Sequence, residues 1–187
     1  MIGRIDAGIT SHAQGMRCTS AVYFLWSGGQ LVYSGQSVTV LKRICEHCVD
    51  KCFDRSTFEP IHQNDLTFVE SYAIWFFRPK YNKHVPMLGS LGCNYSGRLK
   101  RASVEFLCTA LRAMLTADEI LWRFAEAEDC LERHADKTSS RHYSRTLRKQ
   151  VKRNRRVRDI VMCYGAEGVM PVNDSVVGCF HNKSRDA

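Results

Sequence analysis

The sequence predicts an α/β chain in which a small β-hairpin module is followed by helices, the last of them strongly basic. Three observations carry that expectation. Ala21-Val22-Tyr23-Phe24-Leu25-Trp26 and Leu31-Val32-Tyr33 are β-rich runs joined by Ser27-Gly28-Gly29-Gln30, a hairpin pattern with positive-φ turn residues. From Arg98 onward apolar residues recur at helical intervals. Residues 141–159, RHYSRTLRKQVKRNRRVRD, hold nine cations against the single acid Asp159. Composition divides the 187 residues into an arm (1–19), a module (20–86), a helical, basic region (87–164) and a tail (165–187).

The elements follow in order. Residues 1–19 have no clear period. After the hairpin, Gly35 ends the second strand, a place where a ligand can approach the backbone closely. Ser37 can cap a helix through Val38, Val40, Leu41, Ile44 and Cys45. Residues 52–65 are polar and turn-like, with Pro60 and Asn64. LTFVESYAIWFF (66–77) reads as a mostly buried helix stopped by Pro79, with a strand as the alternative because aromatic and β-branched residues abound. MLGSLGCNYSG (87–97) is a linker or irregular loop. Val104, Leu107, Cys108, Leu111, Met114 and Leu115 form one apolar stripe, and Ile120, Leu121 and Phe124 another, capped by Thr116 or Asp118. Trp26, Trp75 and Trp122 are expected in the core. The tail, rich in Gly, Pro and Asn, reads as loosely ordered.

Composition excludes some classes. No apolar run approaches the roughly 20 residues that span a bilayer, and the N-terminal segment lacks the apolar core of a secretory signal. A cytoplasmic chain, or one in a host cytoplasm if phage-encoded, is expected, its nine cysteines reduced. Cys45, Cys48 and Cys52 raise zinc, but the second ligand pair of a structural site is missing. The formal charge of +8 is concentrated in 141–159, leaving the rest near neutral. Such a block is the electrostatic footprint of a phosphate-backbone partner. A solvated helix face carries both signs, and an anionic membrane surface calls for larger apolar anchors. Arg145, Arg148, Lys149, Lys152, Arg153, Arg155 and Arg156, with Gly35 and Lys83, are the expected DNA contacts.

The chemistry lies in the module. Tyr23, Tyr33, Arg43 and His47 fall close together, Arg43 and His47 four apart on one helix face. A carboxylate such as Glu70, inside an apolar segment, is costly to bury unless paired or bound to metal. The alternative places it on the helix's polar side. Tyrosine hydroxyls, a guanidinium, an imidazole and one carboxylate can together hydrolyse a phosphodiester. The carboxylate can hold Mg²⁺, Arg43 can meet phosphate charge as a rigid fork, and a tyrosinate or imidazole can take a proton from water. A tyrosine in that role needs a nearby cation to lower its pKa.

The order VYF…VYSGQS…LKRICEH…VES…RPKYN resembles the GIY-YIG nuclease family. Tyr23 matches the end of the first motif and Tyr33-Ser34-Gly35 the second. Arg43 and His47 match the helical pair, Glu70 the metal-binding Glu, and Pro79 and Asn82 the Pro-x-x-Asn that follows. The family's first-motif Gly and Ile are Ala21 and Val22 here, and its second-motif Ile is Ser34. The resemblance covers about residues 20–84. It implies a three-stranded sheet flanked by helices, one active site, one Mg²⁺ (or Mn²⁺) on Glu70, and water attack assisted by Tyr23 or His47, with Tyr33 a further candidate. Asn82 is expected to position Glu70 or a phosphate. The function so implied is metal-dependent DNA endonuclease, site-specific in a restriction, phage, homing or repair role. The alternatives are a non-catalytic nucleic-acid-binding protein on that scaffold and a non-specific DNA-degrading toxin. One site cuts one strand, so a double-strand break requires a homodimer or two events.

Overall fold

A computed structural model of the chain describes residues 20–86 and 101–164. The expected arm, the 87–97 linker and the 165–187 tail lie outside the described residues. The chain divides into two compact units, Met1–Val85 and Pro86–Ala187, and each is taken by itself.

The first unit is built on β1 (Ala21–Ser27), β2 (Gln30–Ser37), α1 (Val40–Asp50), β3 (Arg55–Pro60) and α2 (Leu66–Phe77). The sheet is three-stranded in the order β2-β1-β3, and both pairings are antiparallel. Gly28 and Gly29 turn the hairpin at φ +57° and +80°, the positive-φ pair that matches the twist of the flanking strands. β1 is central, which explains its unbroken apolar run: Ala21 to Leu25 are all buried. Ala21, Tyr23 and Leu25 pack on Val40 and Ile44 of α1. By strand alternation Val22 and Phe24 face the other side, where α2 covers β1 and β2.

Two local expectations are corrected. Residues 55–60, read as part of a polar turn, are the third strand. Its outward positions carry Arg55 and Thr57, its inward side offers only Ser56 and Phe58, and Pro60 ends it, so alternation was too weak to mark an edge strand. The N-cap of α1 is Thr39, not Ser37. Ser37 still ends β2, and its hydroxyl accepts the Thr39 N–H at 3.0 Å.

α2 is nearly all buried and ends at Arg78, which adopts a left-handed conformation (φ 48°) while its guanidinium lies 4.5 Å over the Trp75 ring. That reversal sends 79–82 back along β2. There the Tyr81 N–H donates to Val32 O at 2.9 Å.

The second unit contains α3 (Arg101–Met114), α4 (Ala117–Lys137) and α5 (Arg141–Cys163). Thr116 and Glu119 form a reciprocal capping box at the start of α4, and the Ser140 hydroxyl caps α5. Leu131 and Ala135 of α4 pack on Leu147 and Val151 of α5. Two residues of the expected stripes, Met114 and Leu121, are 41% exposed. Of the tryptophans only Trp75 is core. Trp26 is half-buried and Trp122 is 57% exposed. No helix among the described residues is long and apolar enough to cross a membrane.

Candidate active site

β1 carries Tyr23 under α1, and the Tyr23 hydroxyl lies 2.8 Å from His47 Nε2. Tyr33, on β2, sets its ring edge against the same imidazole, with centroids 4.8 Å apart. Directly across from Tyr23 is Gly35. A Cβ at Gly35 would stand 2.5 Å from the Tyr23 oxygen and 2.8 Å from a Tyr33 ring carbon. Gly35 is therefore a space-maker for two tyrosines. It is buried, where the sequence suggested a DNA contact.

Arg43 stands one helical turn before His47. Its guanidinium reaches Tyr23 and is held by Glu46, with Nη1 2.7 Å from Oε2. On the other side of His47, Lys51 Nζ lies 2.8 Å from Nδ1, 2.6 Å from Asp50 Oδ2 and 4.8 Å over the Tyr33 ring. An open cleft of about 450 Å³ is lined by Tyr33, Arg43, His47, Lys51, Asn82 and Lys83, among others. Four of the expected residues, Tyr23, Tyr33, Arg43 and His47, thus meet as one cluster. Asn82 and Lys83 border it.

The roles within the cluster differ from expectation at two points. Both ends of the Asn82 amide are committed to Ser34: Oδ1 accepts its N–H at 2.9 Å and Nδ2 donates to its carbonyl at 2.8 Å. Asn82 therefore clamps β2 and hydrogen-bonds Ser34, not Glu70. Tyr23 is not poised as a tyrosinate either. Burial, and then the neighbouring Tyr33, push its pKa up, outweighing the opposing pull of Arg43. His47 moves the other way. Burial lowers its pKa, Lys51 and Arg43 lower it further, and Asp50 opposes them, so the imidazole is neutral at neutral pH.

Glu70 does not line the cleft. Its carboxylate accepts hydrogen bonds from the backbone N–H and side chain of Gln36. The Ser34 N–H and C=O face away from β1, toward Asn82, so the Gln36 N–H, two residues on, faces the same outer edge. Glu70 therefore sits at the free edge of β2, on the α2 side. Burial pushes its carboxyl up to about 7. Among the described residues no group of three or more His, Cys, Asp or Glu could hold a metal. Cys45, Cys48 and Cys52 are free and exposed. A half-buried lone carboxylate whose donors are neutral fits a hydrated Mg²⁺ or Mn²⁺, which takes few protein ligands, and does not fit a structural zinc site.

In the second unit the basic helix is less free than its sequence. Arg148 pairs with Asp136 at 3.2 Å, Arg155 with Glu128 and Glu132 at 2.9 and 3.0 Å, and Arg158 with Glu128 at 3.0 Å. Those acids lie on α4, and Arg158 also meets Asp159 of α5 at 3.3 Å. Arg145, Lys149 and Lys152 remain exposed along one α5 stripe that begins at Arg141 and is about 16 Å long. Arg153 is half-buried and Arg156 exposed.

Sequence reasoning passed over Glu46, Asp50, Lys51 and Gln36. Each looks like ordinary surface charge or polarity in the sequence, and only its distance to a cluster residue marks it. The chain matches no family model, no curated protein and no solved structure.

Proposed function

We propose that the chain is a metal-dependent DNA endonuclease that hydrolyses phosphodiester bonds. The observation that carries this reading is the meeting of Tyr23, Tyr33, Arg43 and His47 from three separate elements, with Tyr33, Arg43 and His47 lining one cleft and Tyr23 buried behind them. Arg43 offers a charged fork to a phosphate, which would displace Glu46 from it. Tyr33 and Lys83 line the cleft and would flank a DNA strand entering it. Glu70 would hold the ion through one carboxylate, and a divalent ion bound there offsets charge on the phosphate oxygens. Arg141, Arg145, Lys149 and Lys152 supply a phosphate-tracking stripe in the second unit, and Arg148, Arg155 and Arg158 hold α5 to α4.

A second reading, a nucleic-acid-binding module without catalysis, is favoured by one observation: Glu70 stands outside the cleft. A plasmid-nicking assay with Mg²⁺, run beside Glu70→Ala, separates the two. Cutting by the wild type that is lost in the variant supports the nuclease. Equal DNA binding with no cutting by either supports the module. Sequencing the ends from a complex substrate separates site-specific from indiscriminate cleavage.

A further inference from the structure

The hydrogen bonds around His47 have a direction, and one residue sets it. His47 Nδ1 faces two groups that make opposite demands. Lys51 Nζ, 2.8 Å away, is an ammonium with donors only. Asp50 Oδ1, 3.3 Å away, is a carboxylate oxygen that only accepts. Nδ1 can satisfy one of them. Lys51 is the nearer, and its side chain is 12% exposed, stacked on Tyr33 and fixed by Asp50 Oδ2. Asp50 is 59% exposed, and its charge is already answered by that lysine. A doubly protonated imidazole would set an N–H against the ammonium beside it.

We propose that Lys51 is a positioning residue that holds His47 as the Nε2–H tautomer, so that the imidazole donates to the Tyr23 oxygen and takes no proton from it. The rest of the chain of donors follows by elimination. The Tyr23 hydroxyl meets His47, Tyr33 and Arg43. His47 is now a donor and Arg43 is always one, so the Tyr23 hydrogen goes to Tyr33. Tyr33 lines the cleft, and its own hydrogen is left for whatever enters. Lys51, His47, Tyr23 and Tyr33 thus form one relay whose hydrogen bonds all point toward the cleft, each polarising the next. Its end suits an anionic oxygen such as a phosphate oxygen. The raised pKa of Tyr23 and the neutral state of His47 agree with a relay of neutral donors. If the Asp50 contact ruled instead, Nδ1 would carry the hydrogen, Nε2 would accept from Tyr23, and His47 would be placed as a base.

The tautomer itself can be measured, and no substrate is needed. That keeps the result separate from the nuclease reading on which the relay's use rests. The full chain is labelled with ¹⁵N-histidine, and His47 is assigned among the seven histidines by its loss in His47→Gln. At neutral pH the wild type is expected to show Nε2 as the protonated, pyrrole-type nitrogen and Nδ1 as pyridine-type. Lys51→Met should exchange the two signals as Nδ1–H turns to Asp50, and Lys51→Arg, which keeps a donor, should not. Protonated Nδ1 in the wild type overturns the proposal, as does an unchanged tautomer in a folded Lys51→Met. If that variant does not fold, the wild-type spectrum decides alone.

Discussion

Glu70→Gln is expected to make the first unit more stable at neutral pH while abolishing cleavage. Burial raises the Glu70 carboxyl from 4.5 to about 7, so the folded state holds its proton more tightly than the unfolded chain does. Stability from this group is fully present below about 4.5 and is lost as pH rises to about 7. The difference of about 2.5 units corresponds to about 3 kcal/mol at 1.36 kcal/mol per unit. Glutamine is neutral throughout and still offers Gln36 an acceptor. The variant should therefore match the wild type near pH 4.5 and exceed it by up to about 3 kcal/mol at pH 7 and above. Urea unfolding at several pH values, followed through Trp26 and Trp75, reads the first unit. With a slope of about 1–3 kcal/mol per molar, the midpoint gap at pH 7 is about 1–3 M. Mg²⁺ should narrow the gap by stabilising only the wild type, through the ionised carboxylate. Equal midpoints at pH 7, or a gap that does not change with pH, would refute the reasoning.

Further predictions concern other parts of the chain. Gly35→Ala drives a methyl into Tyr23 and Tyr33 and should cost about 1–3 kcal/mol by overpacking, read by thermal unfolding, with cleavage lost in the molecules that remain folded. Asn82→Ala strands the Ser34 N–H and C=O at the sheet edge. A loss of about 1–3 kcal/mol and faster amide exchange at Ser34 are expected, and unchanged exchange would deny the clamp. Replacing Arg141, Arg145, Lys149 and Lys152 with Gln should flatten the salt dependence of DNA binding by a log–log slope of about 3–4. Replacing Arg148 should cost about 1 kcal/mol or less, since its pair with Asp136 is exposed, whereas replacing Arg155 and Arg158 leaves the 12%-exposed Glu128 carboxylate unpaired and should cost about 1–3 kcal/mol; both changes should move that slope far less.

What the sequence disclosed depended on how local each signal is. Tyr23, Tyr33, Arg43 and His47 lie within one hairpin and the helix after it, so spacing alone brought them together. α3 and α4 were visible because a half-buried helix leaves an apolar stripe, α2 because its whole run is apolar, and α4 adds Thr116 and Glu119 at its start. β3 was missed by period because only Ser56 and Phe58 turn inward. The pairing of the basic helix was hidden for a different reason. Arg155 and Arg158 find Glu128 27 and 30 residues back, on a helix whose facing side only packing decides. The same holds for Asn82, whose partner lies 48 residues away. A charge count over a window sees the cations and not the acids folded against them.

The outer border of β2 bears on how copies of this chain avoid one another. The exposed rim of a sheet is a template for unwanted strand pairing. Here the Val32 carbonyl is met by Tyr81, both polar groups of Ser34 by Asn82, and the Gln36 amide by Glu70. An incoming strand would have to displace a contact at each of those three positions. The stretch after α2 thus shields the hairpin from sheet-to-sheet aggregation, and a variant that frees it should polymerise through β2.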